Sequence, residues 1–212
     1  MELTGWRGSL YYYMDWALKL AYLNILWLVG IVIGIGFAGF FPSTVAMFSV
    51  LRKWTQGEDE ELKVLSHFKS EYKKEFIKSN KYGYLWAGFG LVIYVDLQFF
   101  RGIPSMWALI VSLFFFMLGA IYIVALLYSF PVYVHYKLTI KQYFKNCVLI
   151  VLSNPLFSVF MVLGFYFPYY LMMKIPGLLL FFSGSLIGLV LMIISNKMFT
   201  ILEKNKEQNN PK

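Results

Sequence analysis

Charge is scarce in this sequence, and cysteine is all but missing. Only 14% of the 212 residues are Asp, Glu, Lys or Arg, against about a quarter in an ordinary soluble domain. A fold that meets water on every side needs more charge than this, so a soluble class is excluded. The single cysteine, Cys147, rules out an internal disulfide, and a lone thiol makes no zinc site. The two histidines, His67 and His135, do not pair with each other or with Cys at metal-ligand spacing. There is no Gly-rich phosphate loop, no nucleophile elbow and no pair of catalytic groups at usable spacing. The expectation is a chain with no metal, no cofactor and no enzymatic activity. No cleavable signal or lipidation motif is expected from the two ends of the sequence, and no run alternates polar and apolar residues as barrel strands do.

Apolar residues are there instead. They make up 59% of the chain, aromatics 20%, and the mean hydropathy is +0.64. Five stretches are long enough to cross roughly 30 Å of hydrocarbon at about 1.5 Å per residue: about 17–41, 82–100, 105–134, 147–169 and 175–199. Unpaired backbone groups are costly in lipid, so each should be a helix. The predicted class is all-α, a polytopic membrane bundle forming a single domain over 1–212.

Lysine and arginine set the orientation. Residues 52–81, 135–146 and the chain from Lys197 onward carry fifteen of them, against four on the other side: Arg7, Lys19, Arg101 and Lys174. Positive charge stays on the cytoplasmic side of a bilayer. Five spans then place the N-terminus outside and the C-terminus in the cytoplasm of a bacterial plasma membrane. The net charge of +8 follows from this bias and calls for membrane lipid as partner, not nucleic acid. Residues 17–51 also allow a second arrangement. A tight turn among Gly30, Gly34, Gly36, Gly39 and Pro42 would give six crossings with both ends cytoplasmic. The reading carried forward is one span ending near Phe41 and a new helix with Pro42 in its first turn.

Outside the spans, 52–81 is the one substantial segment. Acids at 58–61 open a helix in which Leu62, Leu65, Phe68, Tyr72 and Phe76 recur at three- and four-residue steps. Lysines flank them, the pattern of an amphipathic helix that lies on the inner leaflet or docks on a partner. Lys69 and Lys73, together with Lys137, Lys141 and Lys145 on one predicted helix face, make a basic cytoplasmic surface. Asp96 is the carboxylate set inside a span, with Arg101 five residues on; an interfacial ion pair and a partner contact are both open to it. Asn154-Pro155 should kink the fourth span, either structurally or as a hinge. Gly30/Gly34 and Gly184/Gly188 permit close helix approach. The tail from Lys204 is expected to be polar and disordered.

Several of these residues carry a resemblance. Ala21-Tyr22-Leu23-Asn24, Leu26-Trp27, then Pro42, Thr44, Ala46 and Phe48 lead into Arg52-Lys53-Trp54 and Gly57-Glu58-Asp59. Lys74-Glu75-Phe76, Asn80, Tyr94-Val95-Asp96 and Asn154-Pro155 follow. This pattern resembles the YesL-like family of bacterial integral membrane proteins, whose members sit beside components of carbohydrate ABC importers. No catalytic residue is established for that family. The resemblance implies a non-enzymatic accessory subunit that touches importer permease subunits through its helices, with Asp96, Arg101, Asn154, Pro155, Arg52, Lys53 and Trp54 as candidate contacts. A self-standing transporter or channel is the alternative.

Overall fold

The computed structural model describes residues 6–58 and 62–209. These are almost wholly helical: α1 (Trp6–Ile33), α2 (Phe37–Thr55), α3 (Val64–Arg101), α4 (Met106–His135), α5 (Ile140–Ser153), α6 (Pro155–Lys174), α7 (Pro176–Phe182) and α8 (Ser185–Asn209). Five are long and apolar enough to cross a membrane: Leu10–Ile33, Val64–Arg101, Met106–His135, Pro155–Lys174 and Ser185–Lys204. Asp59, Glu60 and Glu61, read above as part of an acidic helix start, lie outside the described residues, as does 210–212.

The first correction concerns the long apolar run. The first span does not continue to Phe41; α1 ends at Ile33, and three residues turn the chain back into α2. Gly36 takes a φ of 72° and Ile35 one of 56°. The Gly36 N–H closes the turn on the Ile31 carbonyl at 2.9 Å, in the manner of a left-handed helix end. Two arms can meet this tightly because Gly34 and Gly39 face each other, and a Cβ on either would meet backbone. The Gly30–Gly34 spacing is thus used within one hairpin. A β-branched residue with positive φ is strained, by roughly 1–2 kcal/mol. Ile35→Gly is therefore expected to raise the unfolding midpoint in detergent by the equivalent of about 1 kcal/mol; an unchanged or lower midpoint would refute the strain.

The hairpin also corrects the arrangement of the termini. Trp16 on α1 packs edge-on against Trp54 at the end of α2, 5.7 Å between ring centres. Thr55 bonds to Asn196 on α8, and Glu203 lies 3.2 Å from His135 at the end of α4. The start of α1 and the end of α8 therefore share one end of the bundle, where opposite ends had been expected.

α2 is the buried centre, in contact with α1, α3, α4 and α8. Pro42 sits inside it rather than in the first turn, so the Ala38 carbonyl lacks its helical N–H. Asn80 on α3 supplies the missing donor: its Nδ2 reaches the Ala38 carbonyl at 2.9 Å. Beside it, Thr44 Oγ1 donates to the Phe40 carbonyl and accepts from the Trp27 indole.

The amphipathic helix is not separate. It continues without a break into the second span, giving α3 38 residues. Its apolar stripe covers the hairpin instead of lipid: Phe68 is buried, and Tyr72 O–H donates to the Gly30 carbonyl at 3.0 Å. Beyond Trp86 no residue of α3 is buried. There α3 and the first half of α4 pair mainly with each other, Phe100 stacking on Phe115 and Tyr122 reaching the Trp86 carbonyl. They form a two-helix arm whose other sides expose large apolar residues such as Phe89, Trp107 and Phe114.

The fourth span is divided rather than merely kinked. α5 ends at Ser153 and α6 starts with Pro155 at its first position. Pro155 leaves the Val151 carbonyl without its helical N–H, and Ser158 Oγ donates to it at 3.4 Å. Before α8, the short α7 brings the chain to Asn24, which is fully buried in α1. Its Nδ2 donates to the Leu180 carbonyl at 2.8 Å. Its Oδ1 accepts the N–H groups of Gly184 at 2.9 Å and Ser185 at 3.1 Å. A side chain on another helix thus caps the start of α8. Gly184 lies against Trp27 and Met47, and Gly188 against Leu51. At its far end α8 stays helical to Asn209, so the tail expected to be disordered is helical over 204–209.

Candidate functional site

The ends of α2 and α4 and the polar half of α3 enclose a groove of about 430 Å³. It exists because α4 stops at His135 and the chain runs extended through 136–139 before α5. The helix end would leave bare carbonyls, and two side chains satisfy them. Arg52 Nη1 donates to the Val134 carbonyl at 2.8 Å, and Tyr143 O–H donates to the Tyr136 carbonyl at 2.7 Å. A capping box between Thr139 and Gln142 then starts α5.

Five cations line this groove (Arg52, Lys53, Lys74, Lys78 and Lys137), with two carboxylates, Glu71 and Glu75. The acids are engaged. Lys74 lies 3.4 Å from Glu71 and 3.9 Å from Glu75, and Tyr133 O–H donates to Glu75 at 2.7 Å. The Lys78 ammonium sits over the stacked rings of Tyr133 and Tyr143, 5.2 and 5.3 Å from their centres, a cation–π arrangement. Ser49 Oγ and His67 Nε2 are 2.8 Å apart. Arg52 Nε and His135 Nδ1 are buried with no hydrogen-bond partner among the described residues. Hydrogen bonds to charged groups contribute about 1.5–3 kcal/mol, so Tyr133→Phe is expected to lower stability by about 2 kcal/mol. Its check is equilibrium unfolding against Tyr136→Phe, whose hydroxyl makes no hydrogen bond among the described residues.

At the rim, Lys53 Nζ donates to Glu58 at 2.8 Å. That bond and the nearby charge hold the Glu58 carboxyl below its ordinary value of 4.5. A depressed carboxylate contributes order above its unfolded value and loses it as pH falls through the folded one. Protection of the Gln56 and Gly57 amides, relative to their intrinsic exchange rates, should therefore fall on acidification below about pH 4.5, and Lys53→Gln should abolish that pH dependence.

The structure gathers only part of the expected set. Arg52, Lys53 and Lys137 meet at the groove, whereas Trp54 is buried against Trp16 on the far side of α2. Lys69 and Lys73 lie on another face of α3, beside Gly30 and Ile33. Lys137 falls in the extended link, so only Lys141 and Lys145 share a face of α5, both exposed. Asp96 and Arg101 form no ion pair with each other among the described residues; Asp96 is half-buried and Arg101 exposed near the tip of the arm. Asn154 serves as a helix boundary. Sequence reasoning missed Tyr133, Tyr143, Glu71, Glu75 and Lys78 as groove residues. Their signal was faint, two tyrosines beside an apolar helix end and acids interleaved with lysines four residues apart.

A polar groove at one end and five apolar helices long enough for a bilayer define a polytopic α-helical membrane protein. The chain belongs to the family described as "Protein of unknown function, DUF624", which matches residues 20–97. Three proteins of Bacillus subtilis (strain 168) resemble it over most of their length. It is 34% identical to the uncharacterized protein YesV, covering 97% of this chain and 98% of the relative. It is 35% identical to YteU over 89% and 84%, and 30% identical to YesL over 95% and 94%. No solved structure matches.

Proposed function

We propose that this protein is a non-enzymatic accessory subunit of a bacterial carbohydrate ABC importer, held to the permease subunits by helix contacts inside the lipid. The observation that carries the reading is the α3–α4 arm. Its distal halves expose Leu91, Val95, Leu109, Leu113 and Met117 around a seam only two helices wide. Gly88 on this arm has open space where a Cβ would be, and small residues favour close approach of another helix in lipid. The internal polar groups support the same reading, since Asn24, Asn80 and Tyr82 are committed to backbone carbonyls or N–H groups of their own chain. The end bearing the groove faces the cytoplasm of a plasma membrane, because the described cations at the opposite end are Arg101 and Lys174. Both chain ends then face inward.

Purification from native membranes in mild detergent, followed by mass spectrometry, tests the proposal. The expected result is co-purification of sugar-importer permease subunits, lost when Leu91 and Leu113 are replaced by tryptophan. Recovery as a lone monomer in every mild detergent would overturn it, as would sugar uptake by liposomes containing this chain alone. Cys147 is fully buried, so introduced cysteines report orientation cleanly: Lys141→Cys should resist impermeant reagents on intact cells and Arg101→Cys should react.

A further inference from the structure

We infer that the groove between α3 and the ends of α2 and α4 binds a phosphate monoester, carried either by a small metabolite or by a lipid headgroup. The inference does not depend on the importer reading.

Charge is the first argument. The cations outnumber the carboxylates in the lining by five to two, and the carboxylates already have partners in Lys74 and Tyr133. Lys53 is matched by Glu58. Arg52, Lys78 and Lys137 make no ion pair among the described residues. Arg52 spends one N–H on the Val134 carbonyl, and its Nε has no hydrogen-bond partner among the described residues. Lys137 makes no ion pair or hydrogen bond among the described residues. Such positive groups held near one another repel unless an anion joins them.

Shape is the second. A guanidinium presents a planar fork that suits phosphate oxygens, and Ser49 adds a hydroxyl on the same wall. About 430 Å³ exceeds what a bare phosphate needs and leaves room for an attached organic body. A carboxylate ligand would use less of the available charge than a dianion. The groove also lies where soluble metabolites and headgroups both reach, at a bundle end flanked by the exposed lysines of α5.

The test uses the full chain in neutral detergent and in nanodiscs. Glycerol 3-phosphate, followed by calorimetry, probes the soluble source. Phosphatidic acid in phosphatidylcholine nanodiscs, followed by native mass spectrometry, probes the lipid source. Either probe should bind saturably. Arg52→Gln should weaken binding on the order of ten-fold, the loss expected for a charge-assisted bond. Because Arg52 also caps α4, Lys137→Gln is the second variant; it removes no ion pair or hydrogen bond among the described residues and should weaken binding about five-fold. Lys145→Gln, exposed on α5 outside the groove, should leave affinity unchanged. Preference for one probe names the source. The inference falls if neither probe binds, if both groove variants bind as tightly as the parent chain, or if Lys145→Gln weakens binding as much as they do.

Discussion

Asn24→Leu is expected to lower the unfolding free energy by about 3 kcal/mol or more, the largest loss from any single polar side chain here. Leucine keeps the branching and the number of side-chain heavy atoms, so the lost hydrogen bonds dominate the effect, with some overpacking added. Three backbone groups, the Leu180 carbonyl and the N–H groups of Gly184 and Ser185, would be left without partners. Each stranded buried group costs about 1–3 kcal/mol, and in lipid no water replaces the bond. Detergent or denaturant unfolding monitored by circular dichroism would measure the loss. A change below about 0.5 kcal/mol would mean that α8 starts correctly without its cap.

Gly39→Val should be nearly as damaging for a steric reason. A Cβ at Gly39 would meet the carbonyl oxygens of Gly30 and Ile31 and the Cα of Gly34. These are backbone atoms of the facing arm, so no side chain can move aside. The hairpin must open, with an overpacking cost of about 1–3 kcal/mol and further loss where α2 contacts α3 and α8. Gly88→Ala is the matched control. Its Cβ would meet nothing, and alanine in place of a mid-helix glycine gains about 0.5–1 kcal/mol. If both substitutions shifted the melting midpoint equally, close approach in the hairpin would not be what selects glycine at 39.

Much of this fold could be read from the sequence, because lipid demands long apolar helices and forgives nothing else. The five long apolar helices were legible for that reason, as was the all-helical class. The turn at Gly34–Gly36 was harder to read, because the apolar run 17–51 leaves each arm only about 17 residues, the lower limit for a crossing. The estimate failed because α1 begins at Trp6 and its arm is longer than the apolar run suggested. Treating residues 52–81 as a separate surface helix also failed. Period 3.6 marks an apolar stripe but not what covers it, and here α1 and α2 do.

Asn24 and Asn80 appeared in the sequence only as positions shared with a family. Their roles require knowing which backbone groups are stranded across the bundle, one at a proline and one at a helix start. The groove was half visible. Its cations were evident from counting, while its tyrosines and carboxylates come together only because α4 ends where α3 passes.

Nothing interrupts α3. It has no proline and no break over 38 residues, a length of about 57 Å against a hydrocarbon layer of roughly 30 Å. A rod nearly twice as long as the layer is thick must lean or emerge from it. Its polar half walls the groove and its apolar half forms one strut of the arm, so a few degrees of tilt at one station becomes ångströms of travel at the other.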